Sequence, residues 1–384
     1  MTEAPGSTGA HLRLARQARG FSQQQLASMA GVSRQAVSAV ESGHSDPSLR
    51  VALAIARALG LSVEELFGPG EPAAPVLATS IGPLTAADQR MTLAAVGERF
   101  VALPLRGDAG AGLGFLPAGG LTVPAAGAAA AAGAAAPRPG ADPARVTGAP
   151  ADVIAVRPIG PPRPTLVVAG CDPALPLLAT PLALTDPPVA FAWWPCGSGE
   201  ALRLAQAGLV HAAGVHAPGG NGQSLPEGAE VVGFTAWREG LAVRADLKSA
   251  VTGLDSVARR RLRIVNREPG AEARRLLDAE CRRLGVDGAE LPGYGSQAAG
   301  HLQVASAIAA GLADAGVASE PAARAYGLAF VPLAEERFSL IIPAAHTASR
   351  EVQALFKVLT SPWLLAQLAS LPGYDAATCG DRLS

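Results

Sequence analysis

Lysine is scarce in this chain of 384 residues, because only Lys248 and Lys357 are lysines among 31 basic residues. Aromatic residues make up 4% of the chain, and its formal net charge at pH 7 is -1. The chain is therefore not a polycation, and contact with nucleic acid would have to depend on a local basic surface. At this length we expect two or three domains with enough chain for a sizeable core.

Several features of secreted proteins, membrane proteins and enzymes are also missing from the sequence. The four cysteines form no Cys-x-x-Cys pair, which is typical of a reducing compartment. The first residues do not resemble a signal peptide, and no apolar run reaches membrane-spanning length. There is no Gly-x-Ser-x-Gly elbow, Walker A loop, His-Glu-x-x-His motif or Gly-x-Gly-x-x-Gly after a strand. The sequence predicts a cytoplasmic protein that is not an enzyme.

The clearest motif lies at residues 20–43, which read as two short helices joined by a tight turn. Ser22 and Gln25 are spaced as a capping box, and Gly31 can end the first helix in the left-handed conformation. Ser33 repeats the cap at the start of the second helix. The outer face of that helix carries polar side chains where a recognition helix contacts base edges. These side chains are Ser33, Arg34, Gln35 and Ser38.

Residues 11–67 resemble the Xre family, the single-domain relatives of lambda Cro and repressor. The resemblance rests on Ser22-Gln23, Leu26-Ala27, Gly31-Val32-Ser33-Arg34-Gln35 and Val40-Glu41-Ser42-Gly43. It implies an all-α lambda-repressor-like domain of five short helices at 11–68, in which Gln23 and Gln24 contact phosphate. We expect the fourth of these helices to turn Leu49, Leu53, Ile55 and Leu59 inward.

The predicted DNA-binding segment is only weakly basic. It carries six arginines against four acidic residues. Two copies would double the number of phosphate contacts, so we expect a homodimer on a double-stranded DNA operator.

Closely spaced Gly and Pro residues predict a linker at 69–83. We expect a small β-containing connecting region to follow it at 84–164. Within this region, residues 89–105 read as a hairpin that turns at Gly97-Glu98. Residues 118–150 are mostly Ala, Gly and Pro, so we expect a disordered insertion there.

Beyond residue 151, short β-rich runs alternate with helical stretches. Alternation of this kind predicts an α/β domain with a largely parallel sheet. Ligands bind such sheets beyond the carboxyl ends of the strands, where loops lead into helix N-termini. Three loops fit this description: Gly170-Cys171-Asp172, Gly197-Ser198-Gly199, and the segment from Asn266 to Ala271.

Residues 165–380 resemble a periplasmic-binding-protein-like domain related to bacterial molybdate- and tungstate-binding proteins. The matching residues include Val168-Ala169-Gly170-Cys171-Asp172-Pro173, Gly197-Ser198-Gly199-Glu200 and Leu371-Pro372-Gly373-Tyr374-Asp375. The resemblance implies a two-lobed type 2 α/β fold, with chain crossings between the lobes near 235–242 and 333–340. It implies molybdate or tungstate as the ligand, and a larger metabolite such as the molybdenum cofactor is the competing ligand.

The predicted ligand-binding residues come from the three loops and from the start of one later helix. They are Gly170, Cys171, Asp172, Gly197, Ser198, Gly199, Arg267, Gly270, Ala271, Arg274 and His301. Relatives of this periplasmic-binding-protein-like domain carry hydroxyl donors where this chain reads Ala271-Glu272-Ala273. Arg267 and Arg274 remain as positive charges for an oxyanion. His211 and His216 fall on opposite faces of a predicted strand, so we expect no metal site from that pair and no bound cofactor.

Together these features favour a ligand-responsive transcriptional regulator that senses a small anionic effector. One alternative is a constitutive DNA-binding protein whose C-terminal domain only dimerises or binds a protein partner. A second is an enzyme on the same two-lobed scaffold, which the missing catalytic motifs disfavour.

Overall fold

The computed structural model describes residues 8–67, 74–86, 88–105, 116–123, 153–160, 162–216 and 224–383. The chain forms two compact units. The first comprises Met1–Val76 with Arg157–Pro161, and the second comprises Leu77–Val156 with Pro162–Ser384. Within the described residues, no helix is both long enough and apolar enough to cross a membrane.

The first unit contains the five helices that the resemblance implied. Ser22 and Gln25 form the predicted capping box, and Gly31 and Gly60 end their helices with φ of 64°. Ser33 and Ser48 cap the helices that follow them. The helices are α1 (Thr8–Ala18), α2 (Gln23–Ala30), α3 (Arg34–Glu41), α4 (Leu49–Leu59) and α5 (Val63–Phe67).

The core of this unit confirms some predicted inward positions and corrects two of them. Val37 and Ile55 are fully buried. Leu49 and Leu53, predicted to face inward, are 72% and 40% exposed. The buried stripe of α4 runs through Ala52, Ile55, Ala56 and Leu59. With 3.6 residues per turn, that stripe leaves Leu49 and Leu53 on another face of the helix.

The second unit begins with a small closed barrel in the strand order β1-β3-β2-β4-β5. The predicted hairpin is confirmed, since Val96 pairs with Arg99 across a turn at Gly97, whose φ is 59°. The strands are β1 (Val76–Ser80), β2 (Arg90–Val96), β3 (Arg99–Pro104), β4 (Gly120–Thr122) and β5 (Val153–Pro158).

Two of these strands correct the sequence prediction. Strand β1 lies within the segment predicted to be a linker, and β4 lies within the insertion predicted to be disordered at 118–150. Backbone pairing fixes β4 despite its small side chains, because the Gln89 amide donates to the Thr122 hydroxyl at 2.8 Å and the Thr122 amide donates back to the Gln89 carbonyl. Residues 124–150 of that predicted insertion lie outside the described residues.

The rest of the second unit is a two-lobed α/β fold built around one mixed sheet of seven strands. Its strands are β6 (Thr165–Ala169), β7 (Ala190–Trp194), β8 (Ala212–His216), β9 (Glu230–Val243), β12 (Ala315–Ser319), β13 (Ala329–Ile342) and β14 (Tyr374–Asp375). A separate parallel pair is formed by β10 (Asn266–Arg267) and β11 (Gln297–Ala298).

The expectation of a largely parallel sheet is wrong. Strands β7 and β8 do run parallel to β6. However, the long strand β13 pairs antiparallel with both β8 and β9, and β12 also pairs antiparallel with β9. Both predicted crossings fall within β9 and β13, which carry the chain from one lobe to the other.

Helices cover the sheet in both lobes. They are α6 (Ala179–Ala183), α7 (Ser198–Gln206), α8 (Leu254–Arg259), α9 (Glu272–Leu284), α10 (His301–Ala309), α11 (Glu320–Ala325), α12 (Ala344–Thr347), α13 (Arg350–Leu359) and α14 (Pro362–Ser370). Alternate side chains of β6 enter two different cores, with Leu166 and Val168 on one side and Val167 and Ala169 on the other. The second lobe has its own core around Leu241, Leu277 and Val317.

Candidate functional site

The candidate DNA-binding residues lie on α3 and at the start of α2. Ser33, Arg34 and Gln35 are exposed, and with the half-buried Ser38 they line one shallow surface pocket. Gln24 is also exposed. The polar face predicted for a recognition helix is therefore open to solvent and continuous.

Gln23 is held by a buried ion pair that the sequence did not reveal. The Arg16 guanidinium donates to Glu41 at 2.6 and 3.1 Å, and these two residues are only 8% and 1% exposed. The Gln23 side-chain amide donates to the same carboxylate at 2.8 Å. Its nitrogen is therefore bound to Glu41, whereas the resemblance implied that Gln23 contacts phosphate.

In the second unit, the first two predicted ligand loops meet at His216, the last residue of β8. The Cys171 sulfur lies 3.0 Å from His216 Nε2. The Ser198 hydroxyl accepts a hydrogen bond of 3.0 Å from the His216 backbone amide. The loop at Gly170–Asp172 and the start of α7 are thereby brought to one place.

The third predicted loop adjoins the second. A Cβ atom added to Gly197 would lie 3.4 Å from Glu268 Oε1 and 3.6 Å from Ala271 Cα. A Cβ added to Gly199 or Gly270 would meet nothing within 4 Å, so the backbone is open to approach at these two glycines. All three predicted loops therefore lie in one region of the second unit.

The two arginines of the third loop are already engaged by protein groups. Arg267 is 2% exposed, and its guanidinium donates to the Glu268 carboxylate at 2.8 and 2.9 Å. Arg274 donates to the Arg267 carbonyl at 3.2 Å and stacks over the Tyr294 ring. Much of the countercharge expected for an anion is therefore balanced within the loop.

His301, at the start of α10 in the second lobe, reaches the same region. Its ring centroid lies 6.1 Å from that of His216, and its Nδ1 accepts a hydrogen bond from the Ser319 amide. Burial, with the nearby Arg267 and His216, lowers the pKa of His301 well below its ordinary value. The residues of both lobes thus meet in one buried cluster.

Two carboxylates, the buried Glu239 and the half-buried Glu336, complete this interlobe cluster. We define the cluster as Cys171, His216, Glu239, Arg267, His301 and Glu336. Burial raises the pKa of Glu239 to about 7, and the neighbouring Glu336 adds to the rise. Glu336 Oε2 lies 3.4 Å from His216 Nδ1. Burial alone would lower the pKa of His216, but Cys171 and Glu336 outweigh it and raise that pKa well above its ordinary value.

Asp172 is placed differently from the other predicted ligand residues. It is fully buried, and its carboxylate accepts hydrogen bonds from the Ala174 amide, the Thr235 hydroxyl and the Tyr374 hydroxyl. Burial raises its pKa, although these hydrogen bonds oppose the rise. Both of its oxygens are therefore used to join the loop after β6 to β9 and β14.

Comparison with known proteins assigns the first unit. Residues 12–66 match the helix-turn-helix family model. The HTH-type transcriptional regulator MJ0272 of Methanocaldococcus jannaschii is 41% identical over 56 residues, which are 15% of this chain and 85% of that protein. The chain belongs to the helix-turn-helix family.

The second unit of this helix-turn-helix protein matches a different family. Residues 179–360 match the PBP superfamily domain. The Bacillus subtilis protein YvgK is 32% identical over 143 residues, which are 37% of this chain and 46% of YvgK, so the match spans less than half of that relative. The tungstate ABC transporter structure from Geobacter sulfurreducens is 14% identical with a TM-score of 0.42, covering 53% of this chain and 97% of that one.

Sequence reasoning missed several members of the interlobe cluster of this helix-turn-helix protein. Glu239 and Glu336 lie in the long strands β9 and β13, and His216 ends β8. Neither carboxylate stood out in the sequence, because Glu239 follows Arg238 and Glu336 lies between Glu335 and Arg337. The pairing between these strands could not be read from the sequence.

Proposed function

We propose that this helix-turn-helix protein is a ligand-responsive transcriptional regulator and not an enzyme. Its α3 contacts an operator in double-stranded DNA, and its two-lobed domain binds a small effector between the lobes. The proposal is carried by one observation, that the three predicted loops and His301 surround a single buried polar cluster built from both lobes. An effector that binds one arrangement of the lobes more tightly would shift operator affinity by linkage.

A homodimer is the form we propose for operator binding. Leu49 and Leu53 are exposed one turn apart on α4, which supports a contact between two copies of this helix. Two copies would also double the phosphate contacts of a weakly basic segment.

The recognition role of α3 gives a direct test. Arg34→Ala and Gln35→Ala should each relax sequence preference, because each removes a side chain able to make two hydrogen bonds to one base. We expect about 1–3 kcal/mol per lost contact on the native operator and little change on a scrambled duplex. Fluorescence anisotropy with both duplexes measures this. An equal loss on the two duplexes would mean that these residues contact phosphate and do not read bases.

For the effector, we propose a small anion of the molybdate or tungstate type, with a molybdenum-cofactor-like metabolite as the larger candidate. Helices α7, α9 and α10 all begin beside the interlobe cluster, and helix N-termini attract anions. The ion pair between Arg267 and Glu268 and the buried Glu239 oppose an anion, so we expect weak affinity.

A thermal-shift experiment with molybdate, tungstate, sulfate and pterin compounds tests this effector class. A ligand at 100 times its Kd should stabilise the second unit by about 2.7 kcal/mol. Glu272→Gln should strengthen oxyanion binding, since it removes a negative charge at the start of α9. Absence of any shift would favour the alternative of a constitutive DNA-binding protein whose second unit dimerises or binds a protein.

A further inference from the structure

Three side chains of the interlobe cluster have the chemistry of a metal site. Cys171, His216 and His301 each offer one donor atom, and these atoms all lie within 4.8 Å of one another. The three residues are 6%, 5% and 1% exposed. They come from three separate elements, the loop after β6, the end of β8 and the start of α10, so the fold has gathered them from both lobes.

We propose that Cys171, His216 and His301 bind a borderline-soft transition-metal ion of the Zn²⁺ class. Thiolate and imidazole are the ligands such ions select, at about 2.3 Å for sulfur and 2.0–2.1 Å for nitrogen. The Cys171 sulfur and His216 Nε2 are already 3.0 Å apart, and a small expansion would admit an ion between them. Three protein ligands leave a fourth position for water or an effector oxygen.

Both histidines also have a carboxylate near Nδ1, the half-buried Glu336 for His216 and the buried Glu239 for His301. His216 Nδ1 is 3.4 Å from Glu336 Oε2, and His301 Nδ1 is 3.9 Å from Glu239 Oε1. Histidines that bind metals usually donate their other ring N–H to a carboxylate or carbonyl, which fixes the ring. Neither ring nitrogen donates to its carboxylate in the structure, since His301 Nδ1 accepts from the Ser319 amide, but both carboxylates are placed to take up this role once an ion binds.

Three buried polar atoms without hydrogen-bond partners point to the same conclusion. Among the described residues, His301 Nε2 and both carboxylate oxygens of Glu239 have no hydrogen-bond partner. Leaving buried polar atoms without partners costs folding free energy. A cation at the cluster would bond to His301 Nε2 and would carry a charge opposite to that of the Glu239 carboxylate.

Metal binding would require two proton movements. The proton shared between the Cys171 sulfur and His216 Nε2 must leave to solvent, so that both atoms can bind the ion. The Ser319 amide donates to His301 Nδ1 in the structure, so the ring proton is on Nε2. It must move to Nδ1, where Glu239 replaces the Ser319 amide as the hydrogen-bond partner.

A second set of donors, His216, Glu239 and Glu336, also lies within this range. It shares His216 with the first set and cannot be filled at the same time. We assign the ion to the cysteine-containing set because in that arrangement the two carboxylates orient the histidines. The metal site lies within the interlobe cluster proposed above to bind the effector, but metal binding itself does not depend on a regulatory role.

The test is calorimetric titration of the chelator-treated full chain with Zn²⁺, repeated with Co²⁺ to detect thiolate-to-metal absorption. We expect one Zn²⁺ per chain and a thiolate band with Co²⁺. Cys171→Ser should lower Zn²⁺ affinity more than 100-fold, and Glu336→Gln by about 10–100-fold through the orienting carboxylate. Cys281→Ser and His346→Gln, which alter a buried cysteine and a buried histidine outside the cluster, should leave the affinity unchanged.

Several outcomes would overturn the site. These are no stoichiometric Zn²⁺ binding, no thiolate band in the unaltered protein, or equal losses for Cys171→Ser and Cys281→Ser. The proposal would also be rejected if Cys171→Ser kept Zn²⁺ binding and Glu336→Gln lost it. That result would assign the ion to the second set of donors, His216, Glu239 and Glu336. Operator affinity measured with and without Zn²⁺ is a separate readout. If Zn²⁺ binds without changing operator affinity, the metal site is supported and only a regulatory role for the ion is rejected.

Discussion

Glu41→Ala should strongly destabilise the helix-turn-helix unit while leaving the stability of the two-lobed unit unchanged. Glu41 is 1% exposed and accepts hydrogen bonds from Arg16 and Gln23. Its backbone carbonyl also accepts from Arg13. Removing the carboxylate would leave the Arg16 guanidinium buried without its opposite charge, because Arg16 itself is 8% exposed.

The expected loss is large compared with the stability of the unit. Breaking a buried ion pair by removing one partner costs about 3–5 kcal/mol. A domain of this length has a free energy of unfolding of roughly 3–9 kcal/mol, which corresponds to about 0.05–0.15 kcal/mol per residue. Operator binding should therefore fall sharply, although Glu41 is not on the exposed face of α3.

The four tryptophans make the two units separable in one experiment. Trp193, Trp194, Trp237 and Trp363 all belong to the second unit, so fluorescence reports on that unit alone. In Glu41→Ala, the unfolding transition seen by fluorescence should be unchanged. The part of the helical circular dichroism that comes from the first unit should be lost at a lower denaturant concentration than in the unaltered protein. Asp46→Asn removes the charge of an exposed carboxylate in the same unit and serves as the matched control. A normal circular dichroism transition in Glu41→Ala would refute the role of the ion pair.

Local signals predicted most of the first unit. Caps at Ser22 and Ser33 and the left-handed Gly31 depend only on neighbouring residues, and all three are observed. The role of Glu41 could not be predicted, because its partner Arg16 is 25 positions away in the sequence. Leu53 was misplaced for a related reason, since apolar character alone does not show which face of α4 meets the other helices.

In the second unit, the features that depend on neighbouring residues were predicted, and those that depend on contacts between distant parts of the sequence were not. The parallel strands β6 and β7 were visible as apolar runs, and α7 and α9 as helices after Gly-containing loops. In the sequence, the single strand β13 reads as two separate β-rich runs, Leu328–Val331 and Leu340–Ile342, because its middle, Glu335–Arg337, is charged. Pairing with β9 keeps it continuous, and this long-range contact was not evident in the sequence.

The interlobe cluster shows the same limit. The rule that ligands bind beyond strand ends found Cys171, and family resemblance found His301. From the sequence, His216 could be related only to His211, five residues away, and we expect no metal site from that pair. The partners that matter for His216 are 45 and 85 positions away in the sequence and come together only in the folded domain.

Asp172→Ala should strongly destabilise the two-lobed unit. The carboxylate accepts from the Ala174 amide at 2.8 Å, the Tyr374 hydroxyl at 2.7 Å and the Thr235 hydroxyl at 2.5 Å. An unsatisfied buried donor costs about 1–3 kcal/mol, so losing the common acceptor should cost at least about 3 kcal/mol. Tryptophan fluorescence during denaturant unfolding measures this loss directly.

Two further variants separate a structural role from a ligand role for Asp172. Asp375→Ala is the matched control, because Asp375 is exposed and its carboxylate accepts only the nearby Ala377 amide among the described residues. Asp172→Asn keeps an acceptor and should recover part of the lost stability, since the Thr235 hydroxyl can accept from the new amide. If Asp172→Asn instead kept full stability and lost effector binding, Asp172 would be a direct ligand, as first predicted. The use of both its oxygens by protein groups instead argues that Asp172 holds the loop beside Cys171 in place.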